Sequence, residues 1–297
     1  MWNVIYEDAV FHWYTYPFLY GIAGSLFLVG TLTVAKIRGS RTPAQGASKS
    51  ALAVSPRRVL DLSMLLLLFL YGFARLGAAF YSRAANPFEA LFDFQQRDLT
   101  SDVGFFAAAL LWLFCSKFWP TVAELSQSWA GPLLLAGAVG AIGCLSFGCC
   151  FGHPVADHTW YGIRYKTRFN HQGSIIGAPA VKEQMLLGRI PYSAKECLPV
   201  HPVQLYHAVL LTLGGVALTF LAARTKWVYW FPVAALYYML VRVLCDPFRG
   251  DLTYGLAHDS LQPWSRLAML GIMTIGFAWT LRSQFKALII KLLVFRC

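Results

Sequence analysis

The sequence predicts an all-α fold, a polytopic membrane bundle of about seven transmembrane helices, and three observations carry that prediction. The 297 residues are 57% hydrophobic and 13% charged, against about 25% charged in soluble domains. Several apolar stretches approach the roughly 20 residues a helix needs to cross a hydrocarbon core of about 30 Å. Unbroken runs such as Leu65-Leu66-Leu67-Leu68-Phe69-Leu70 lack the alternation of a barrel strand, so the spans satisfy their backbone hydrogen bonds as helices.

The spans fall near residues 17–36, 59–81, 103–119, 131–151, 203–223, 228–245 and 266–282. Acidic Glu7 and Asp8 precede the first, unlike the basic start of a removable signal peptide, so it is expected to stay in the mature chain. The following linker, about 37–58, is rich in Ser, Ala, Gly and Pro and has no apolar period, which reads as a flexible loop. It carries Arg38, Arg41, Lys49, Arg57 and Arg58, with Lys36 just before it, and the tail carries Arg282, Lys286, Lys291 and Arg296. Lysine and arginine beside spans mark cytoplasmic loops, so the N-terminus is expected outside and the C-terminus in the cytoplasm. The same reading accounts for the formal net charge of +11 without nucleic acid.

Acidic residues collect in the other loops, among them Glu89, Asp93, Asp98, Asp157, Asp251 and Asp259. The one long loop, about 152–202, contains Pro154, Pro179, Pro191 and Pro199 and is expected to form a small extramembrane subdomain on a single membrane domain covering 1–297. The spacing of Gly137, Gly140 and Gly143 suits close helix contact.

Charged groups inside spans cost about 2.5 to 3.5 kcal/mol each on insertion scales, so each is a candidate site residue. Arg75 lies deep in the second span, and Arg242 and Asp246 stand four residues apart at the end of the sixth, one helix face and a potential ion pair. Arg249 follows. Buried ion pairs that only hold helices in register are the bland alternative. Fixed guanidinium groups also bind a lipid phosphate through paired, directional hydrogen bonds. Asp61, near the cytoplasmic start of its span, is read as structural.

Cys144, Cys149, Cys150, His153 and His158 form a tight run that could suit a metal with sulfur and imidazole ligands. Small cysteines among glycines also suit close helix packing, and that reading is preferred, with no metal and no cofactor expected. His201 ahead of Pro202 is either a site base or a helix-start residue. His12 and His207 read as interfacial or packed.

Several segments resemble the prolipoprotein diacylglyceryl transferase family. They are His12-Trp13-Tyr14, Ala74-Arg75-Leu76-Gly77 with Tyr81, Gly143-Cys144-Leu145-Ser146-Phe147-Gly148-Cys149-Cys150-Phe151-Gly152, His201-Pro202-Val203-Gln204-Leu205-Tyr206, and Arg242 with Asp246-Pro247-Phe248-Arg249. The resemblance implies a transferase of the inner (plasma) membrane acting in lipoprotein biosynthesis. It would move a diacylglyceryl group from phosphatidylglycerol, or another anionic phospholipid, to the lipobox cysteine of a prolipoprotein signal peptide, releasing glycerol phosphate. It also implies that Arg75, Arg242 and Arg249 hold phosphate, Tyr14 orients the headgroup, Gly152 allows close backbone approach, and Gln204 and Tyr206 line the substrate.

The family has arginine, asparagine and glutamate where this chain has Ala141, Cys144 and Cys149, and His-Gly-Gly where it has Asp102-Val103-Gly104. A thiol of reference pKa about 8.5 needs a base or a field favouring thiolate. Asp102 could replace the family's histidine only if burial raised its pKa toward neutrality. With Arg242, Asp246 and His201, Asp102 completes the expected catalytic set. The alternative is a non-enzymatic or regulatory lipid-binding protein that kept the bundle and lost the base.

Overall fold

The computed structural model describes residues 2–3, 9–40, 55–81, 101–167, 178–225, 227–250 and 261–294. Its helices are α1 (Ala9–Ser40), α2 (Pro56–Tyr81), α3 (Ser101–Phe118), the short α4 (Pro120–Ser126), α5 (Ala130–Phe147), α6 (Pro179–Leu186), α7 (Val203–Arg224), α8 (Trp230–Cys245) and α9 (Leu261–Val294). Six of them, α1, α2, α3, α5, α7 and α8, are long and apolar enough to cross a membrane. With α9 they form a helical membrane bundle of about seven spans. Each expected span overlaps one of these helices, but the fourth, expected to reach 151, ends at Phe147, where Gly148 takes a left-handed conformation and stops the helix. The expected linker is shorter than 37–58, because α1 runs through Ser40 and α2 begins at Pro56; residues 41–54 lie outside the described residues.

Side chains that would meet water in a soluble protein are apolar here. Leu65 is 61% exposed, Leu213 63% and Ile275 70%, an outer surface suited to lipid. Inside, Phe27, Trp112, Trp129, Leu134, Phe231 and Met239 belong to one buried cluster. The indole N–H groups of its tryptophans find partners, as buried donors must: Trp112 Nε1 donates to Ser126 Oγ at 2.6 Å and Trp129 Nε1 to Ser63 Oγ at 2.9 Å.

α5 packs most extensively on α7 and on α1. The tightest approach is not at Gly137 or Gly140. A Cβ on Gly137 would make only ordinary contact, with Leu211 at 3.4 Å, and one on Gly140 would meet nothing within 4 Å. Gly131 is the crowded position, since its Cβ would lie 2.6 Å from the Gly215 carbonyl of α7. The rotation of α5 turns Gly131 more closely to α7 than Gly137 or Gly140.

Arg38 Nη1 donates to the Ala222 and Thr225 carbonyls at 2.5 and 2.8 Å, satisfying the end of α7 where helix carbonyls lack internal partners. At the other end of the bundle, residues 148–167 and 178–202 build a second small core from Phe151, Ile163, Tyr165, Val181, Met185, Cys197 and Val200. A two-residue parallel pairing joins β1 (Trp2–Asn3) to β2 (Ile163–Arg164). Arg164 bridges Asp157 and Glu196 at 3.0 and 2.9 Å on this surface.

Candidate active site

The site is built where α2 and α8 end and α3 and α9 begin, against the 148–202 segment. Gly104 seats α3 on α2, because a Cβ there would stand 2.6 Å from the Leu70 carbonyl and 3.3 Å from Ala74 Cβ. That contact brings the start of α3 beside the turn carrying Arg75, and both Asp102 and Arg75 are buried, at 3% and 4% exposure.

Asp102 is held by a residue to which the sequence reading gave no role. Arg266, on the first turns of α9, is 1% exposed. Its Nε donates to Asp102 Oδ2 at 2.6 Å and its Nη1 to Asp246 Oδ1 at 2.7 Å. The available signal was a guanidinium at the margin of an apolar span, since Arg266 opens the expected seventh span. Asp102 is therefore a paired carboxylate rather than a free one, and a base at that position would compete with a strong donor.

The expected pair between Arg242 and Asp246 does not form among the described residues. Asp246 closes α8 and opens a 3-10 turn, Asp246–Phe248. There its carboxylate is taken by Arg266, with Arg249 Nη1 3.9 Å away. Arg242 makes no hydrogen bond or ion pair among the described residues, and its Nε is buried. Asp102, Arg249 and Cys150 lie within its electrostatic reach. A guanidinium so placed is a ready receptor for an anion.

The approach to these cations is laced by backbone. Gly152 N–H donates to the His201 carbonyl at 3.1 Å, His153 N–H to the Phe248 carbonyl at 2.9 Å, and Gly250 N–H to the Phe151 carbonyl at 2.9 Å. Gly152 also bridges Arg249. A Cβ on Gly152 would stand 2.6 Å from the His201 oxygen and 2.8 Å from that of Phe248. The close approach at Gly152 is thus made by the protein's own backbone.

His201 follows on this lattice. Its Nδ1 lies 3.2 Å from the Tyr206 hydroxyl, and its ring packs on Tyr161 and Phe248 at 5.5 and 5.6 Å. Burial, and then nearby His153, lower its pKa below the ordinary histidine value, so the neutral ring is favoured. Gln204 is 1% exposed; its Nε2 donates to the Cys149 carbonyl at 2.6 Å and to the Tyr165 hydroxyl at 3.3 Å. It fixes the loop after α5. Burial raises the Tyr165 hydroxyl's pKa, keeping it protonated.

Asp102, Asp246 and Arg249 thus converge with Arg266, and Arg242 stands alongside. His201, Tyr206 and Gly152 form a contiguous rim reaching Arg249, while Gln204 acts one step behind through Cys149. The side chain of Tyr14, like those of His12, Trp13 and Tyr81, lies outside the described residues. Asp61 is exposed, away from these groups. The six described cysteines are free thiols.

No curated protein matches the sequence. A family profile described as prolipoprotein diacylglyceryl transferase matches residues 4–288, nearly the whole chain. This match spans the arginine segment of α2, the glycine and cysteine turn after α5, the His201 segment and the α8 terminus alike. The chain therefore belongs to the prolipoprotein diacylglyceryl transferase family.

Proposed function

We propose that this multi-pass membrane protein transfers a diacylglyceryl group from phosphatidylglycerol to the lipobox cysteine of a prolipoprotein signal peptide, at the outer face of the inner membrane. Family membership supports a diacylglyceryl transferase role in lipoprotein biosynthesis. The observation that carries the donor assignment is the buried Nε of Arg242, unpartnered among the described residues, beside Arg249. A phosphodiester supplies the anion that such a group lacks.

In this reading the acceptor sulfur attacks a glycerol carbon of the lipid. The carbon–oxygen bond to phosphate breaks as the carbon–sulfur bond forms, and glycerol phosphate departs. Arg242, with Arg75 and Arg249, supports the charge developing on the leaving oxygen, as positioned donors do in transition states. Neutral His201 takes the thiol proton, with Tyr206 orienting its ring. Asp102 and Asp246 hold Arg266 and so set the cationic wall; Tyr14 orients the headgroup, and Gln204 and Gly152 keep the rim closed.

The pairing of Asp102 with Arg266 favours a second reading, a lipid-binding protein that lost the family's base. One assay separates them: purified protein, labelled phosphatidylglycerol and a lipobox peptide, with thioether product as readout. Arg242→Ala should remove product and weaken lipid binding, and Arg242→Lys should restore little, because an ammonium does not reproduce a planar, paired contact. His201→Gln should stop turnover with lipid binding retained. Lipid binding without product in folded wild type, across several anionic lipids and peptides, would leave the second reading.

A further inference from the structure

α5 ends in a way that gathers three sulfurs. Gly148 adopts a left-handed conformation, φ 75°, and its N–H closes the helix onto the Cys144 and Leu145 carbonyls at 2.9 and 3.3 Å, a common helix stop. The chain then folds back, so that Cys149 and Cys150 return to Cys144, and the three Sγ atoms lie within 4.8 Å of one another. Cys150 also has a positive φ, 55°, unusual for a residue with a Cβ. The Gln204 hydrogen bond to the Cys149 carbonyl holds this turn from the α7 side. Packing alone does not require three sulfurs to face one another, and His153 and His158 are not part of the group.

We propose that Cys144, Cys149 and Cys150 form a three-thiolate site for a thiophilic d10 cation, Zn²⁺ or Cu⁺. A metal–sulfur bond of roughly 2.3 Å puts sulfurs about 3.8 Å apart in a tetrahedral site and about 4.0 Å apart in a trigonal one, so the observed spacing closes with small side-chain movements. Three thiolates outweigh either cation, and the excess negative charge is met by Arg249 and Arg242, both within electrostatic reach of Cys150. Binding releases the three thiol protons to solvent, with no oxidant or reductant required. A tetrahedral Zn²⁺ would need a fourth donor beyond the three sulfurs, whereas three-coordinate Cu⁺ would not.

The test is metal content and binding on the full chain in detergent. Elemental analysis of protein purified under reducing conditions without chelator should find one Zn or Cu per chain. Apo-protein should take up one Zn²⁺, Cu⁺ or the reporter Cd²⁺ with a thiolate charge-transfer band. Cys149→Ser and Cys150→Ser should lose at least tenfold in affinity, and Cys115→Ser should lose none. Where a serine variant fails to fold, maleimide labelling of wild type replaces it: metal should protect three thiols. Folded wild type that carries no metal and binds none of the three cations stoichiometrically overturns the site. So does loss of two of these thiols to a disulfide in metal-free protein kept reduced.

Discussion

Arg266 Nε meets Asp102 Oδ2 at 2.6 Å, and both residues are almost wholly buried, so the first turn of α3 is tied to the start of α9 across 164 positions of sequence. Removing one member strands the other in a medium that solvates it poorly. Asp102→Asn and Arg266→Gln should each destabilise the folded protein by roughly 3–5 kcal/mol, the usual cost of breaking a buried pair. The double variant should recover part of that loss, since both charges are then gone. Thermal unfolding in detergent reads all three, and unchanged stability of Asp102→Asn would speak against a structural pair.

Arg242 presents the opposite situation, because its buried Nε has no partner among the described residues. Replacing it with an apolar side chain of similar length should relieve a desolvation penalty. Arg242→Met is expected to raise the stability of lipid-free protein by roughly 1–3 kcal/mol while removing transfer. Phosphatidylglycerol should stabilise wild type in the same unfolding assay and leave the variant unmoved.

Gly152 is crowded by carbonyl oxygens of His201 and Phe248 at 2.6 and 2.8 Å from where a Cβ would stand. Backbone cannot yield as a flexible side chain can. Gly152→Ala should therefore cost about 1–3 kcal/mol through overpacking and lower turnover by moving His201 relative to Arg249. Gly140→Ala, facing open space, serves as the control and should fall within experimental error.

His201 has a pKa below its ordinary 6.5, through burial and then through His153. The folded chain thus binds fewer protons at this ring than the unfolded chain between the two values. Its contribution to stability is complete above pH 6.5 and is lost as pH falls from there through the lower folded value. Stability measured against pH should decline on acidification in this window, and His201→Gln should remove that part of the slope. Turnover should follow the neutral ring, falling with pH in wild type.

Orientation is tested separately. With residues 148–202 outside, cysteine probes at 157 and 192 should react with an impermeant reagent in intact cells. Probes at 45 and 50 in the basic linker should react only after permeabilisation. The reverse pattern would put the cationic site on the cytoplasmic side and overturn the proposed acceptor.

Hydropathy and the placement of charge are local properties, summed along the chain, and they were enough to set the seven spans, the helical class and the residues worth suspecting. Arg75, Arg242, Asp246 and Arg249 could be named from sequence because a charge inside an apolar run is costly wherever the helix turns, and Asp102 because it stands where the resembling family has a histidine. Which of them pair was decided only by tertiary structure. Arg266 and Arg249 lie near one carboxylate, Asp246, and its partners follow from the 3-10 turn that ends α8 and from the depth at which α9 begins, so Arg266 takes it and Arg242 is left open. The cysteine cluster has the same origin: spacing alone could not say that the left-handed turn at Gly148 would fold Cys149 and Cys150 back onto Cys144, because that reversal depends on what α7 and its Gln204 hold in place.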